Sequence, residues 1–418
     1  MKFLLLLLTN IIMLAGCGGG GGTSSSEPTA QLSTPPVTPS NQLSSVSISS
    51  DKSKLAEGDS YELSWSLDGE GSCDITGAVE RTVTASGAME VTDSEQGEHT
   101  TSIACGTASD SVRVVVIPEV IEIPDLVFEK MLTRLGYQVS NGQMSGTEAL
   151  SVNSLCITAL SGFYGEPGAD GTVIFGNPNV PDSGVTCVYT DEQEFIRDTA
   201  GLEYFLNLRT MRLEHQQFDS LNLSMLEDIS FLSLWGNPIY ELELTNNHAL
   251  THLGLSETSL VTIDTSNLPE LVEAAFQQSD NEVPYTTFSG TVVHGFNSLD
   301  FAQNQKLQRL YVHSNPLTDF GIADNKNSLV ELWARNTAVQ SLDLSGFESL
   351  RYIILRGSES LTYLNVYGVD NYTVPFRFYC DGCPQLEEVI VYDAPAFTAA
   401  NGKDGVFLDD HITFVEGP

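Results

Sequence analysis

Two glutamates, Glu273 and Glu331, are the side chains whose spacing comes nearest to a catalytic pair. They fall at equivalent positions of a repeating pattern, and two carboxylates on either side of a glycosidic bond can hydrolyse it. Arg309 occupies the equivalent position between them, so an alternating column of Glu and Arg is the simpler interpretation. We therefore predict a row of ion pairs with no catalytic residues, and we predict that the protein is not an enzyme.

Pairs of histidine and cysteine raise the question of a metal or redox site. His248 and His252 are four residues apart, which brings two ligands together only on a helix, and the pattern here predicts a turn and then a strand. Cys380 and Cys383 have Cys-x-x-Cys spacing, but a redox pair needs a helix N-terminus and a strand is predicted to follow. We expect a structural disulfide there, with redox and zinc sites as alternatives, and we predict no metal and no cofactor.

The charge balance narrows the class of partner. The formal net charge is −37, from 18 basic and 55 acidic side chains. A nucleic-acid surface needs clustered Lys and Arg, and an anionic membrane repels such a chain, so we predict neither partner. Two interpretations of the acidic surface remain open: solubility, for instance in a salty medium, and the binding of divalent cations.

The N-terminus has the features of an exported, lipid-anchored protein. The apolar run at residues 3–15 is too short to span a bilayer and is typical of a secretory signal. The sequence Leu14-Ala15-Gly16-Cys17 resembles a bacterial lipobox, which implies that residues 1–16 are removed and that Cys17 carries lipid. Gly18, in place of Asp, implies sorting to the outer membrane, with the protein facing the periplasm or the cell surface.

Residues 17–42 contain mostly Gly, Ser, Thr and Pro and are predicted to form a flexible tether. The six cysteines other than Cys17 are even in number, which in an exported chain predicts disulfides. They are Cys73, Cys105, Cys156, Cys187, Cys380 and Cys383. The sequence leaves the pairing of the last four undecided.

Residues 43–118 show short alternating runs separated by turn residues, which predict a β-sandwich. The segment also resembles bacterial immunoglobulin-like modules, through Leu63-Ser64-Trp65-Ser66, Cys73 and Ala104-Cys105-Gly106. The resemblance implies a disulfide between Cys73 and Cys105, with Trp65 in the core. Such modules are usually spacers or adhesive units.

A repeat dominates the rest of the chain. Leu208, Ile229, Leu250 and Leu271 are 21 residues apart and begin copies of the pattern LxxLxLxxNxLxxLxLxxNxx. After an irregular copy the register resumes at Leu307, Leu329, Leu350 and Leu386, which makes eight copies. One copy cannot bury its own leucines, so each LxL strand is predicted to pair with the strand one repeat away. The segment 123–137 predicts a helix ahead of the repeats, with Pro124 just before it and Gly136 just after it.

The repeat resembles the leucine-rich-repeat family, in particular its bacterial 21-residue class and more loosely the internalins. The resemblance covers residues 123–392, and Ile123-Pro124-Asp125 with Phe128-Glu129 is similar to the family's N-terminal cap. It implies a mainly β fold: a solenoid with a short helical cap, preceded by the immunoglobulin-like sandwich. The implied ranges are 121–207 for the cap and its insertion, 208–395 for the repeats and 396–418 for a C-terminal cap. Asn is missing at Gln216 and Thr258, so the asparagine ladder is predicted to be incomplete.

The positions between the inward leucines define the candidate binding residues. On the first strand of each repeat they carry rings and most of the arginines, whereas on the second strand they are small and acidic. The predicted binding residues are Phe231, Trp235, His252, Tyr311, His313, Trp333, Arg335, Tyr352, Arg356 and Tyr392. Trp, Tyr and Arg are enriched at interface hot spots. The alternative is that the rings stack on one another as a structural ladder.

We therefore expect a membrane-anchored extracytoplasmic protein that is monomeric and held to the membrane only by its lipid. Its repeat domain is expected to bind a protein or polysaccharide through the aromatic strand face, as in adhesion. The insertion between Leu271 and Leu307 could border that face, or it could be plain loop variation. The alternative function is an envelope structural or spacer lipoprotein without a specific ligand.

Overall fold

The protein is described from a computed structural model that covers residues 43–93, 95–159, 172–174, 186–191, 193–279, 284–287, 290–369, 377–403 and 405–417. The chain is mainly β in these ranges, as predicted. No helix within them is long and apolar enough to cross a membrane. The predicted signal peptide, the predicted lipidation at Cys17 and the predicted tether lie outside the described residues.

The N-terminal part is a sandwich of two β-sheets. Its strands are β1 Ser45–Ser50, β2 Lys54–Ala56, β3 Ser60–Asp68, β4 Cys73–Thr76, β5 Arg81–Val83, β6 Gly87–Thr92, β7 Gly97–Cys105 and β8 Ala108–Ile117. One sheet has the order β1-β3-β6 and the other β2-β8-β7-β4-β5. Tyr61, Leu63 and Trp65 alternate along β3 and are buried, because alternate side chains of a strand point to the same face. The Cys73–Cys105 disulfide lies in the same core, as expected.

A short mixed segment joins the sandwich to the repeats. It contains β9 Val120–Glu122, α1 Leu126–Arg134, β10 Val139–Ser140, β11 Gln143–Ser145 and α2 Gly146–Ser151. Helix α1 begins at the N-cap Asp125, whose side chain accepts hydrogen bonds from the amides of Val127 and Phe128. The helix lies between Pro124 and Gly136, as predicted, and it buries Phe128 against the ring of Phe205.

The strands that follow are short. They are β12 Ser154–Thr158, β13 Thr172–Ile174, β14 Thr186–Tyr189, β15 Thr210–Glu214, β16 Phe231–Ser233, β17 His252–Gly254, β18 Glu273–Ala275, β19 Tyr285–Thr286, β20 Val292–Val293, β21 Arg309–Tyr311, β22 Glu331–Trp333, β23 Ser341–Asp343, β24 Tyr352–Ile354, β25 Tyr363–Asn365, β26 Arg377–Cys380, β27 Glu388–Val391, β28 Val406–Leu408 and β29 Thr413–Glu416. Helix α3 spans Ala394–Ala400, and a single 3-10 turn spans Leu202–Tyr204.

Twelve of these strands form one sheet, called the main sheet, in the order β13-β14-β12-β15-β16-β17-β18-β21-β22-β24-β26-β28. Its strands are parallel, except that β13 is antiparallel to β14. Leu232 pairs with Leu253 of the next repeat, so each strand pairs one repeat away, as predicted. Strands β23, β25, β27 and β29 form a second parallel sheet, called the back sheet. This arrangement is a leucine-rich-repeat solenoid.

The position occupied by Asn in the repeat pattern is filled along most of the solenoid, although often by another residue. The amide nitrogen of Asn237 donates to the carbonyls of Leu213 and Leu234. Where Asn is missing, Gln216 accepts from the amide of Ile196 and the Thr258 hydroxyl donates to the carbonyl of Leu255. Because a buried peptide group without a partner is costly, any side chain that can pair with the turn suffices.

The register predicted after Leu350 is wrong. Glu388–Val391 lies in the back sheet beside Tyr363–Asn365, and the main sheet continues instead through Arg377–Cys380 and Val406–Leu408. Each repeat contains the LxxLxL pattern twice, once for each side of the solenoid. The pattern at Leu386 therefore matches both phases equally well, whereas residues 377–380 match it over only a short stretch.

Candidate binding face

The main sheet presents three columns of outward side chains, called columns A, B and C. Column A contains Thr210, Phe231, His252, Glu273, Arg309, Glu331, Tyr352 and Arg377. Column B contains Arg212, Ser233, Gly254, Ala275, Tyr311, Trp333, Ile354, Tyr379 and Phe407. Column C follows two residues after column B and contains Glu214, Trp235, Ser256, Gln277, His313, Arg335, Arg356 and Asp381. Successive members of a column are about 4.8 Å apart.

On the first half of the main sheet the outward side chains pack against one another and are mostly buried, and this part is called the closed half. The Arg212 guanidinium lies 4.5 Å from the centre of the Phe231 ring, whose other neighbour is the imidazole of His252 at 5.7 Å. Phe231 and His252 are each only 9% exposed. These two predicted binding residues therefore form a packed stack, so they are poorly placed to contact a ligand directly.

A buried acid lies beside this stack. The carboxylate of Glu214 accepts a hydrogen bond of 2.6 Å from the Ser233 hydroxyl, and the Arg212 guanidinium lies 3.5 Å away. Burial raises the pKa of Glu214 above its usual value, and Arg212 and Ser233 oppose that shift only in part. Burial also raises the pKa of Tyr189, and the nearby charge of Glu214 raises it further.

Two histidines in the same region are kept neutral by burial. Burial lowers the pKa of His215 to about 4, and its imidazole packs 4.8 Å from the Trp235 ring. Burial also lowers the pKa of His252, although the charge of Glu273 opposes the shift. His252 belongs to the pair His248 and His252, and its imidazole packs on the Phe231 ring. No group of three or more His, Cys, Asp or Glu side chains that could hold a metal ion is found within the described ranges.

Gly236 allows the turn after Trp235 to pass close to His215. Its φ is +73°, and an added Cβ would lie 2.1 Å from Nδ1 of the imidazole. Gly346 has a similar φ of +78°, but its nearest neighbour would be the Lys326 Cδ at 3.8 Å. The two glycines therefore form a matched pair that separates backbone strain from steric clash.

We expect Gly236→Ala to lower the free energy of unfolding by about 2–3 kcal/mol, because it adds a clash to the strain of a left-handed residue. We expect Gly346→Ala to cost about 1 kcal/mol from backbone strain alone. Urea unfolding of both variants measures the difference. Equal losses would show that His215 does not limit the space at this turn.

The second half of the columns is more open and carries rings that touch one another. The Tyr311 and Trp333 rings meet edge to face at 5.5 Å, and the Tyr311 hydroxyl donates to Glu331 over 3.2 Å. Burial raises the pKa of Tyr311 above its usual value. Both rings are half-buried, so they belong to a ladder and still present surface to solvent. The two interpretations of the aromatic column are therefore compatible.

The charge column is only partly as predicted. Nε of Arg309 donates to Glu273 at 2.6 Å, which is the predicted ion pair. Glu331 instead accepts from Tyr311. The two glutamates thus have separate partners.

The sequence prediction missed the strands at the C-terminal end of the main sheet, β26 and β28. Nε of Arg356 donates to Asp381 at 2.7 Å, and its guanidinium lies 4.6 Å from the centre of the Tyr379 ring. Tyr379 in turn stacks on Phe407 at 5.3 Å, with ring planes 6° apart. The available signal was the alternation at Phe378 and Cys380, with the cysteine in place of the usual leucine. The four undecided cysteines pair as Cys156–Cys187 and Cys380–Cys383.

Tyr392 does not belong to the binding face. It follows strand β27 of the back sheet, is 64% exposed, and packs against Tyr367 with ring centres 5.9 Å apart. Its predicted place depended on the register at Leu386, and the same correction removes it. The remaining predicted residues Tyr311, His313, Trp333, Arg335, Tyr352 and Arg356 lie together on the main sheet.

The insertion after β18 borders the face at one edge. It contains the antiparallel pair β19 and β20. The Thr291 hydroxyl donates to the carbonyl of Gly236 over 3.0 Å, and the Ser259 hydroxyl donates to the carbonyl of Val292 over 2.9 Å. The loop is thus attached beside Trp235, at the column C side of the closed half.

Three solved structures were among those similar to this chain. The functional domain of InlJ from Listeria monocytogenes, which includes a cysteine ladder, is 15% identical, with 68% of this chain and 81% of that chain covered and a TM-score of 0.26. The LRIM1/APL1C complex is 19% identical, with 53% and 45% covered and a TM-score of 0.33. The leucine-rich repeat domain of APL1B is 15% identical, with 53% and 84% covered and a TM-score of 0.26. No protein-family model and no curated protein matched. At such low scores the fold assignment depends on the strand order and the ladder.

Proposed function

We infer that the protein is an extracytoplasmic binding protein whose repeat domain holds a protein partner on the second half of the main sheet. This surface is called the open face, and its members are Arg309, Tyr311, His313, Trp333, Arg335, Tyr352, Ile354, Arg356, Arg377, Tyr379 and Phe407. The observation that carries the proposal is the cluster of half-buried rings and arginines on a rigid sheet. Rings and arginines of this kind dominate the energetics of interfaces.

The support beneath the open face makes it suited to binding. Leu332 and Ile353, between the outward residues, are fully buried, so the strands cannot shift without opening the core. A face that is already ordered loses little side-chain freedom when a partner docks. The closed half lies beside it and leaves a sharply limited area for contact.

The N-terminal parts have a mechanical role in this proposal. Cys17 carries the lipid, residues 17–42 form the tether, and an immunoglobulin-like sandwich holds the capped repeat domain away from the outer membrane. A firm joint between sandwich and repeats supports this role. The Arg113 guanidinium donates to both carboxylate oxygens of Glu227 at 2.9 and 3.0 Å, and Nζ of Lys54 donates to the carbonyl of Leu206 at 2.6 Å. Protease treatment of whole cells distinguishes surface from periplasmic orientation.

Trp333→Ala tests the position of the binding surface. We expect binding of a partner selected against the full chain from a displayed library of peptides to weaken at least about tenfold, because the variant removes the central ring. The control is Tyr240→Ala, which removes a ring that is 64% exposed outside the main sheet. The same unfolding midpoint for both variants shows that folding is intact. Equal binding by both would contradict the proposal.

A further inference from the structure

The open face has a charge that differs from the rest of the solenoid. The chain as a whole carries a net charge of −37. Outside the main sheet, the outward positions of the second half of each repeat include exposed acids, namely Glu241, Glu243, Asp264, Asp319 and Asp343. On the open face the arginines outnumber the acids. This contrast indicates that the open face attracts negatively charged groups, whereas the rest of the molecule repels them.

Three arginines of the open face have guanidinium N–H groups that are not used in ion pairs within the described ranges. Arg309 and Arg356 each engage Nε with a neighbouring carboxylate, at 2.6 and 2.7 Å, which leaves the terminal Nη groups without a protein partner among the described residues. The side chain of Arg356 is 48% exposed. Arg377 is exposed and forms no ion pair within the described ranges. Two Nη groups form the planar fork that binds a carboxylate through two hydrogen bonds.

The positions of Arg356 and Arg377 define a spacing. Arg356 lies in column C, two residues after strand β24, and Arg377 lies in column A on the neighbouring strand β26. The two positions are therefore separated by four residues along the strand direction and by one spacing between strands. At about 3.3 Å per residue and about 4.8 Å per rung, the two positions are about 14 Å apart. Ile354 and Tyr379 of column B lie between them. The pattern is thus cation, apolar centre, cation.

We propose that the open face recognises an extended acidic segment of another protein, in which two carboxylates about four residues apart flank an apolar or aromatic side chain. The proposal rests on the proposed function, because it names the partner chemistry of the same face. One carboxylate binds Arg356, the other binds Arg377, and the central side chain packs on Ile354 and Tyr379. Four residues of extended chain span nearly the distance between the two arginines.

A densely charged polyanion suits this face less well. Glu331 and Asp381 lie among the arginines, so a continuous row of negative charges would meet carboxylates as well as guanidinium groups. The overall charge of the chain would repel such a polymer at long range. Two separated carboxylates with an apolar centre reduce both penalties, because only one of them lies beside Asp381 and the segment carries little charge for the chain to repel. This favours an acidic peptide over an acidic polysaccharide.

The test is selection of peptides from a random displayed library on the full chain. We expect enriched peptides to carry Asp or Glu at positions four apart with an apolar residue between them. Arg356→Glu and Arg377→Glu should each weaken binding of such a peptide at least about tenfold, by removing one ion pair and adding repulsion. The control is Arg81→Glu, which alters an exposed arginine on the sandwich. Replacing the matching acid of the peptide by Lys should restore binding to the reversed variant.

Three results would overturn the inference, and they separate it from the proposed function. Enriched peptides without acidic pairs, but with binding lost in Trp333→Ala, would remove the acidic partner and leave the binding face. If Trp333→Ala weakened the binding of none of the selected peptides, both the acidic partner and the binding face would be ruled out. Binding of alginate, a polymer of uronic acids, in the absence of any peptide binding would replace the protein segment with a polysaccharide.

Discussion

Replacing Asn315 by alanine should lower the free energy of unfolding by about 3–5 kcal/mol. Asn315 is 1% exposed, and its amide nitrogen donates to the carbonyls of Phe276 and Val312, each at 2.9 Å. Its amide oxygen accepts from the backbone N–H of Phe296 at 2.7 Å and from the side chain of Gln278 at 3.2 Å. One side chain therefore joins two neighbouring repeats and the segment at Phe296 that leads to the second half of its repeat.

The size of the effect follows from what alanine leaves behind. Each buried peptide group without a partner costs about 1–3 kcal/mol, and the substitution exposes several of them to an apolar interior at once. Water cannot easily replace the amide at a site this enclosed. The loss therefore exceeds the value of a single hydrogen bond.

Urea unfolding of Asn315→Ala measures this loss. The matched control is Asn327→Ala, which removes an exposed asparagine from a nearby turn. We expect the control to change stability by less than about 0.5 kcal/mol. Similar small losses in both variants would contradict the role given to the ladder.

Acidification should destabilise the protein through His215, and His215→Asn should remove that part of the loss. Burial lowers the pKa of His215 to about 4, below the ordinary value of 6.5. Between these two pH values the unfolded chain binds a proton that the folded chain refuses, so stability falls as pH drops from 6.5 towards 4. The shift corresponds to about 3 kcal/mol. Asn suits the site because the φ of His215 is +56°.

The measurement is the free energy of unfolding of the wild type and of His215→Asn at several pH values. Glu214 contributes with the opposite sign: because burial raises its pKa, its contribution is fully present at low pH and is lost as pH rises through the folded value. His252 has a lowered pKa and acts in the same direction as His215. Subtracting the free energy of unfolding of His215→Asn from that of the wild type cancels the contributions of Glu214 and His252. If the remaining difference did not change with pH, the burial of His215 would be contradicted.

The sequence predicts the solenoid because its leucines must be buried. Leu213, Leu234 and Leu255 are fully buried, as the 21-residue period requires. The period does not distinguish the two halves of a repeat, since both contain LxxLxL. It therefore predicts the wrong sheet for Tyr392, which follows a strand of the back sheet. Polar ladder positions are also predictable only as a class, since Gln216 and Thr258 replace Asn by different hydrogen bonds.

The outward direction of the binding residues was predictable, whereas their exposure was not. Alternation on a strand puts Phe231 and Trp333 on the same face of the main sheet. Only the three-dimensional packing of Arg212 and His252 around Phe231 reveals that one is enclosed and the other half-open. Tyr379 and Phe407 belong to the face because strands β26 and β28 pair at the C-terminal end of the main sheet.

The most direct test of the binding face is oxidative footprinting of aromatic side chains with and without a selected peptide. We predict that Trp333, Tyr352 and Tyr379 are oxidised more slowly in the complex, because the partner covers the open face. Tyr240 and Tyr392, each 64% exposed outside that face, should be oxidised at the same rate in both states. Protection of Tyr240 or Tyr392, with no change at Trp333 and Tyr379, would contradict the account.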